Sequence, residues 1–266
     1  MAIQVFTLQG TGKPGASGAV NTGKGGFSAQ VGAGVNQTIF DWVPVPYDAG
    51  IPFNTSAVSG VTALTTAIQN SDELFVLVGY SQGAMVTSAV LEALQSGGLP
   101  GYENLIAAVT FGNPMRQPGH TFPNYPDPGG HGIMTAASLL TDTPSWWYDY
   151  AIHDDLAACN GTDQENEQDN LGSQWLTNVF MDFCEQFDGS LTFSLFLESI
   201  VGIPFDVIPM FLEIAPYLIG TPQTGTYPHG EYDSYVPTLT GSQAGNTYTM
   251  IELAINYLNS VGELNS

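Results

Sequence analysis

A serine hydroxyl becomes a nucleophile when a neighbouring base takes its proton, and one serine of this chain stands in the right setting. Ser81 is the centre of Gly79-Tyr80-Ser81-Gln82-Gly83, a Gly-x-Ser-x-Gly pattern that folds as a sharp strand-to-helix turn with the hydroxyl at its apex. The flanking glycines leave room where a Cβ would crowd so tight a turn. The pentapeptide alone is common, so its context carries the weight. Phe75-Val76-Leu77-Val78 precede it as an apolar β-forming run, and Met85, Ala89, Val90 and Leu94 follow at helical spacing up to Gly97-Gly98. Ser81 is therefore the candidate nucleophile.

Such a serine needs an imidazole to accept its proton and a carboxylate to hold that imidazole in the correct tautomer. On a nucleophile elbow the three follow in the order serine, acid, histidine. That order sorts the four histidines. His120 and His131 lie in a Pro/Gly-rich loop, ahead of any acid that could follow a late strand, and read as surface side chains. His153 abuts Asp154 and Asp155, too close in sequence to either. His229, in Tyr227-Pro228-His229-Gly230 ahead of a C-terminal helical pattern, is left as the base.

Asp142, Asp149, Asp154 and Asp155 compete for the acid. The acid belongs in a loop just past a strand end, which favours Asp154 or Asp155 after a strand expected at 148–152. Position alone does not separate those two. The oxyanion of an acyl-transfer intermediate also needs preorganised donors. The backbone N–H of Gln82 follows the nucleophile, and a second donor is expected from Gly10 or Thr11 in the turn after the first strand.

The elements that must hold these groups are legible in outline. Strands are expected at 3–8, 39–45, 75–78, 105–111 and 148–152, with helices at about 54–69, after Ser81, and at 247–261. Strands alternating with helices at these lengths imply an α/β architecture with a mainly parallel sheet. Gly10, Gly12 and Gly15 also spell G-x-G-x-x-G. Pro14 and the Gly/Ala/Ser/Asn-rich run behind it open no helix, however, and no acid stands about 20 residues on, so a dinucleotide fold is excluded. The run 15–36 is expected to be a long surface loop.

The polar stretch 160–170 places Asp163, Glu165, Glu167 and Asp169 in alternation, but it lacks the glycine and terminal glutamate of a calcium loop. The stretch 191–219 is the most hydrophobic of the chain, yet Glu198, Asp206, Glu213 and three prolines break it into short segments. It is expected to pack as short helices on the core and to line a lipid-accepting groove. Cys159 and Cys184 match no zinc spacing, and their pairing is a matter of geometry.

At 266 residues the chain fits one generous domain, 1–266, with 160–225 as an inserted helical linker or cap before the histidine loop. Its formal charge is −22, yet it has only 25 acidic residues; the imbalance comes from having three Lys and Arg in all, Lys13, Lys24 and Arg116. Such a surface repels nucleic acid and anionic membranes. No apolar run reaches the roughly 18 residues of a membrane span, and no signal peptide is visible at the N-terminus.

Four strings together resemble the mycobacteriophage lysin B family of cutinase-like serine esterases. They are Gly79-Tyr80-Ser81-Gln82-Gly83-Ala84, Phe111-Gly112-Asn113-Pro114-Met115-Arg116-Gln117, the early Gly10-Thr11-Gly12, and Trp146 with Asp149-Tyr150-Ala151. The Gly-Asn-Pro-Met-Arg-Gln string is more specific than the elbow. The resemblance implies an α/β-hydrolase fold of the cutinase-like type and hydrolysis of the ester joining mycolic acids to arabinogalactan, late in infection. It implies a monomer acting on mycolyl-arabinogalactan or another long-chain acyl ester, without cofactor or metal. Such an enzyme is made in the host cytoplasm and acts on the cell envelope at lysis. The family pattern Tyr-Ala-x-x-x-Asp falls on Tyr150 to Asp155 and points to Asp155, with Asp154 its rival; the late Pro-His falls on Pro228-His229. The family's His-Gly-Thr-Gly is Gln9-Gly10-Thr11-Gly12 here.

Overall fold

The computed structural model describes residues 2–11, 26–50, 53–161, 177–178 and 228–266. Five strands, β1 (Ile3–Leu8), β2 (Phe40–Pro44), β3 (Phe75–Tyr80), β4 (Leu105–Phe111) and β5 (Trp147–Tyr150), form one sheet in the order β2-β1-β3-β4-β5. Every pairing is parallel. Among the described residues, the helices that accompany them are α1 (Gly26–Gly34), α2 (Phe53–Gln69), α3 (Gln82–Gln95) and α4 (Met250–Asn265).

The central strand β3 is buried along its whole length, which is why its sequence is a continuous apolar run rather than an alternation. Val5, Val76, Val78 and Val109 point to one face, against Val31 of α1 and Met250, Ala254 and Leu258 of α4. Phe6, Leu77 and Ala108 point to the other, against Leu64 and Ile68 of α2 and Val86, Val90 and Leu91 of α3. The layers follow from handedness. The chain steps from β1 to β2 in one direction and from β2 to β3 and β3 to β4 in the other, so right-handed crossovers send α1 to one face and α2 and α3 to the opposite one. Each fully buried Val, Leu, Ile or Phe contributes about 1.5–3 kcal/mol, so these two layers supply the main stabilisation of the described residues.

That reversal of direction positions the site. In open parallel sheets, the crevice beyond the strand ends opens where the connections diverge, which here is between β1 and β3. The register aligns Leu8 with Gly79, Tyr80 with Phe111 and Phe111 with Tyr150. The turns after four strands therefore leave from one edge of the sheet: Gln9-Gly10, Ser81, Gly112, and the loop running from Ala151.

The strands expected at 3–8 and 105–111 have those bounds, and the remaining elements shift by up to four residues at their ends. One expectation is overturned. The run 15–36, read as a loop, contains helix α1. Its glycines lower helix propensity, but two of them are sites of close packing: a Cβ on Gly32 would lie 2.2 Å from the Trp42 indole nitrogen, and one on Gly34 would lie 2.4 Å from the Ile255 side chain. Ser28 adds a hydroxyl bond of 2.7 Å to the Leu8 carbonyl. Tertiary contact, not local propensity, makes this helix. The stretches 162–176, 179–227 and 12–25 lie outside the described residues, and with them Cys184, most of the expected 160–225 insertion and the hydrophobic run 191–219.

Candidate active site

Ser81 sits between β3 and α3 with φ 54° and ψ −120°, a conformation sparsely populated for non-glycine residues and costing about 1–3 kcal/mol. Its neighbours enforce it. The Ser81 N–H donates to the Phe111 carbonyl over 2.9 Å, tying the turn to the end of β4. A Cβ on Gly79 would lie 2.7 Å from the Gly83 carbonyl oxygen, and one on Gly83 would lie 2.3 Å from that of Leu8. Both flanking glycines are therefore required by contact, as the sequence pattern implies.

The structure brings Ser81, His229 and Asp155 together. His229 Nε2 is 2.9 Å from Ser81 Oγ, and His229 Nδ1 is 2.9 Å from each Asp155 oxygen. Asp155 is 1% exposed and His229 is also buried. Two further groups donate to the same carboxylate: the Ala157 N–H at 3.0 Å, and the Tyr232 hydroxyl in a short bond. Burial, together with the Asp155 charge and this bond, raises the Tyr232 hydroxyl well above its usual range, so it stays a proton donor. Asp154, the sequence rival, is 78% exposed and faces the equally solvated His153 at 2.9 Å. It is far from Ser81's partner in role as well as burial.

The imidazole is clasped from both sides. Gly112 has φ +56°, and a Cβ there would lie 2.5 Å from His229 Cε1 and 3.0 Å from Asp155 Oδ2. On another side the Tyr80 ring lies 5.0 Å from the imidazole, and its hydroxyl donates to the His229 carbonyl at 2.9 Å. The identity of the residue at 112 is thus dictated by a close approach to the histidine–aspartate pair.

The proposed oxyanion donors also converge. Gly10 lies so near the elbow that a Cβ on it would be 2.9 Å from Ser81 Cβ, and Thr11 follows it, half-buried. Gln82 opens α3, where first-turn N–H groups lack intrahelical acceptors. The Gln9 side chain, standing where the resembled family has histidine, accepts from Ser28 Oγ at 2.5 Å. That keeps it on α1.

A second buried polar network braces the loops that carry these groups. Arg116 is fully buried and is the one Lys or Arg among the described residues. Its guanidinium donates to the carbonyls of Ala158, His120, Gly129 and Gly130 and faces Asp127 at 3.4 Å. Since Ala158 N–H in turn donates to the Asp155 carbonyl, the arginine anchors the acid's loop. Nearby, Asn113 donates to Asp149, which is 1% exposed and also bonded by Thr110 and by His120 Nδ1 at 2.8 Å. Asp149 lies on β5 in register with Thr110, not beyond the strand end, so it braces the sheet rather than reaching His229. His120 and His131, expected on the surface, are both partly buried; His131 Nδ1 is 2.8 Å from the Gly132 carbonyl. No sequence spacing signals the His120–Asp149 pair, because its members are 29 residues apart.

Burial pushes the Asp149 carboxyl up, but the hydrogen bond and charge of His120 and the bonds from Thr110 and Asn113 outweigh it and hold the group below its usual value. A carboxyl depressed in the folded state contributes stability that is present above its unfolded value, near 3.9, and is lost as pH falls through the folded one. Urea unfolding followed at pH 5 and pH 3 is expected to show a fall in stability that is shallower in Asp149→Asn. Equal falls in variant and parent would remove Asp149 as the cause.

Among the described residues, no three His, Cys, Asp or Glu side chains are grouped to hold a metal ion. Cys159 has no disulfide partner among the described residues, and its thiol is pushed up to about 12 chiefly by burial. No helix of the described residues is long and apolar enough to cross a membrane. Tyr232 and Gly112 are the site residues that sequence reasoning missed. The signal for Tyr232 was its place three residues beyond His229, one turn on, where a short helical turn at Pro228–Gly230 brings both side chains to one carboxylate.

Comparison with known proteins agrees with this architecture. A family model described as the PE-PPE domain matches residues 39–142. The structure of lysin B from mycobacteriophage D29 is similar with a TM-score of 0.64 at 20% identity, over 97% of this chain and 99% of that one. The catalytic core of acetyl xylan esterase from Trichoderma reesei gives a TM-score of 0.43 at 22% identity over 69% of this chain and 97% of that one. A cutinase-like protein from Cryptococcus sp. gives 0.45 at 18% over 68% and 92%. No curated protein matches in sequence. The parallel α/β fold is shared along nearly the whole length of the chain with the phage lysin B.

Proposed function

We propose that this protein is a serine esterase that hydrolyses the ester joining mycolic acids to arabinogalactan. The observation that carries the esterase reading is the unbroken hydrogen-bonded run from Asp155 through His229 to Ser81, with each step at 2.9 Å. Ser81 Oγ attacks the ester carbonyl carbon while its proton passes to His229 Nε2. The carbonyl oxygen becomes an oxyanion against the N–H groups of Gln82 and the Gly10-Thr11 turn. Asp155 holds the imidazolium through Nδ1. Collapse of the intermediate expels the sugar alkoxide, which takes the proton from Nε2 and leaves an acyl-Ser81. Water, deprotonated by His229, then releases the fatty acid and restores the serine.

The substrate rests on different support: the Gly-Asn-Pro-Met-Arg-Gln string with the other motifs, and the likeness of fold to the D29 lysin B. In this reading the protein acts as a monomer, without cofactor or metal, on the bacterial envelope at lysis, after synthesis in the host cytoplasm. The other reading with the same chemistry is a cutinase- or lipase-like esterase on glycerides or polyesters. Purified mycolyl-arabinogalactan, triolein and a polyester film, offered at matched ester concentration, separate the two. Release of mycolic acid at least tenfold faster than oleate or polyester monomers is the expected result. The reverse ranking assigns the second reading, and failure of all three together with no phosphonate labelling of Ser81 assigns a catalytically dead envelope-binding module.

A further inference from the structure

We infer that Tyr47 is a positioning residue for the oxyanion hole, holding the peptide that leads into its Gly10-Thr11 donors; this rests on the esterase reading above. Tyr47 follows β2 and is 4% exposed, and nothing in the triad touches it. Its hydroxyl donates to the Gln9 carbonyl at 2.5 Å and lies 3.4 Å from Gln82 Oε1. The Gln9 carbonyl belongs to the turn that carries one arm of the hole, and Gln82 opens the helix that carries the other. In a trans peptide the carbonyl and the following N–H point in opposite directions, so fixing the Gln9 oxygen fixes the plane that leads into the Gly10-Thr11 donors.

The other arm is gripped at the same place. Gln82 is fully buried with its side chain turned away from the substrate. Its Oε1 accepts from Ser56 Oγ at 3.0 Å, and its Nε2 donates to the Phe53 carbonyl at 3.3 Å. These contacts hold the buried amide between α2 and α3, while the backbone N–H of Gln82 is set by its place as the first residue of α3. Tyr47 itself has little freedom. Its ring packs over Gly60, where a Cβ would come 3.0 Å from the ring, and burial keeps its hydroxyl protonated far beyond neutral pH. The phenol therefore donates at every pH at which the enzyme works. A hydroxyl bonded to the turn after β1 and standing beside the first residue of α3 lies at the crevice between β1 and β3, where the oxyanion must sit. Preorganisation of this sort is what makes oxyanion donors effective, since they need not reorient as charge develops.

Tyr47→Phe tests this, because it keeps the ring and removes only the bond. With a p-nitrophenyl ester, kcat per serine titrated by a fluorophosphonate is expected to fall roughly 10- to 100-fold, somewhat below the loss of a whole oxyanion donor, with KM within twofold. Affinity for an alkyl boronic acid, whose tetrahedral adduct places an oxygen in the hole, is expected to fall by the same factor. Counting titrated serines removes any loss of folded protein from the comparison. A kcat within twofold of the parent, a loss that appears in KM, or a boronate affinity unchanged while kcat falls, overturns the role of Tyr47. If the unmodified protein itself is not labelled at Ser81, it is the esterase reading that fails, and the two failures are thus distinct.

Discussion

Ser81→Ala is expected to abolish measurable turnover of p-nitrophenyl esters, a loss of at least about 10⁴-fold in kcat and of the order seen when a triad serine is removed elsewhere. The magnitude follows from what the hydroxyl does. Without Oγ there is no covalent acyl intermediate, and only the residual acceleration from substrate binding and the oxyanion donors remains. The fold is expected to survive: alanine keeps the Cβ that already fits the turn, and the one hydrogen bond lost is that to His229 Nε2. The strained φ of 54° is inherited by any non-glycine residue at this position, so thermal unfolding of the variant is expected within a few degrees of the parent. Two measurements check the result: mass-spectrometric mapping of a fluorophosphonate label to the peptide containing Ser81, and its disappearance in the variant. Turnover by Ser81→Ala near that of the parent would end the serine-esterase reading.

The parts of this site that were legible beforehand share a cause: they are fixed by local chain mechanics. The elbow glycines, the apolar run of β3 and the helix behind it are consequences of neighbours in sequence, so Phe75 to Leu94 could be read directly. Chain order points to His229 because on a nucleophile elbow the serine, acid and histidine follow in that sequence. What stayed hidden depends on contacts between residues far apart. Helix α1 is glycine-rich and forms because Trp42 and Ile255 need small residues beneath them. His120 reads in sequence as one more loop histidine, and its role depends on Asp149, 29 residues away, which faces it at 2.8 Å. Arg116 stood in a motif string with no evident task, and its task turns out to be satisfying the carbonyls of four separate loop residues. In a chain so poor in cations, burying its one described guanidinium is informative. In a chain of charge −22 that arginine faces one carboxylate, Asp127, and gives its remaining donors to backbone carbonyls that hold the acid's loop in place.

The sharpest distinction lies between two adjacent aspartates. Asp155→Asn is expected to lower kcat by about 10⁴-fold, or some 5.5 kcal/mol of barrier, while Asp154→Asn changes it less than twofold. The reasoning is one of donors and acceptors. The Asp155 carboxylate accepts from His229 Nδ1, from Tyr232 and from the Ala157 N–H. An amide has only one acceptor oxygen to offer these three. If its NH₂ faces Nδ1, the imidazole must take the other tautomer, with the proton on Nε2, and it can no longer receive one from Ser81. If the amide flips, its NH₂ confronts the Tyr232 hydroxyl and leaves a buried donor unmatched, at about 1–3 kcal/mol. Either way the base is lost or its support weakened. Asp154, by contrast, is 78% exposed, and its contact with the solvated His153 is a surface pair of the kind that contributes at most about 1 kcal/mol. It also has φ 69°, in the left-handed region, where asparagine is at least as comfortable as aspartate, so the variant should fold as well as the parent. Rates per phosphonate-titrated serine, with thermal melts alongside, decide the matter. A large loss in Asp154→Asn with Asp155→Asn near the parent would exchange the two roles, and equal small losses would show that His229 works without a carboxylate partner.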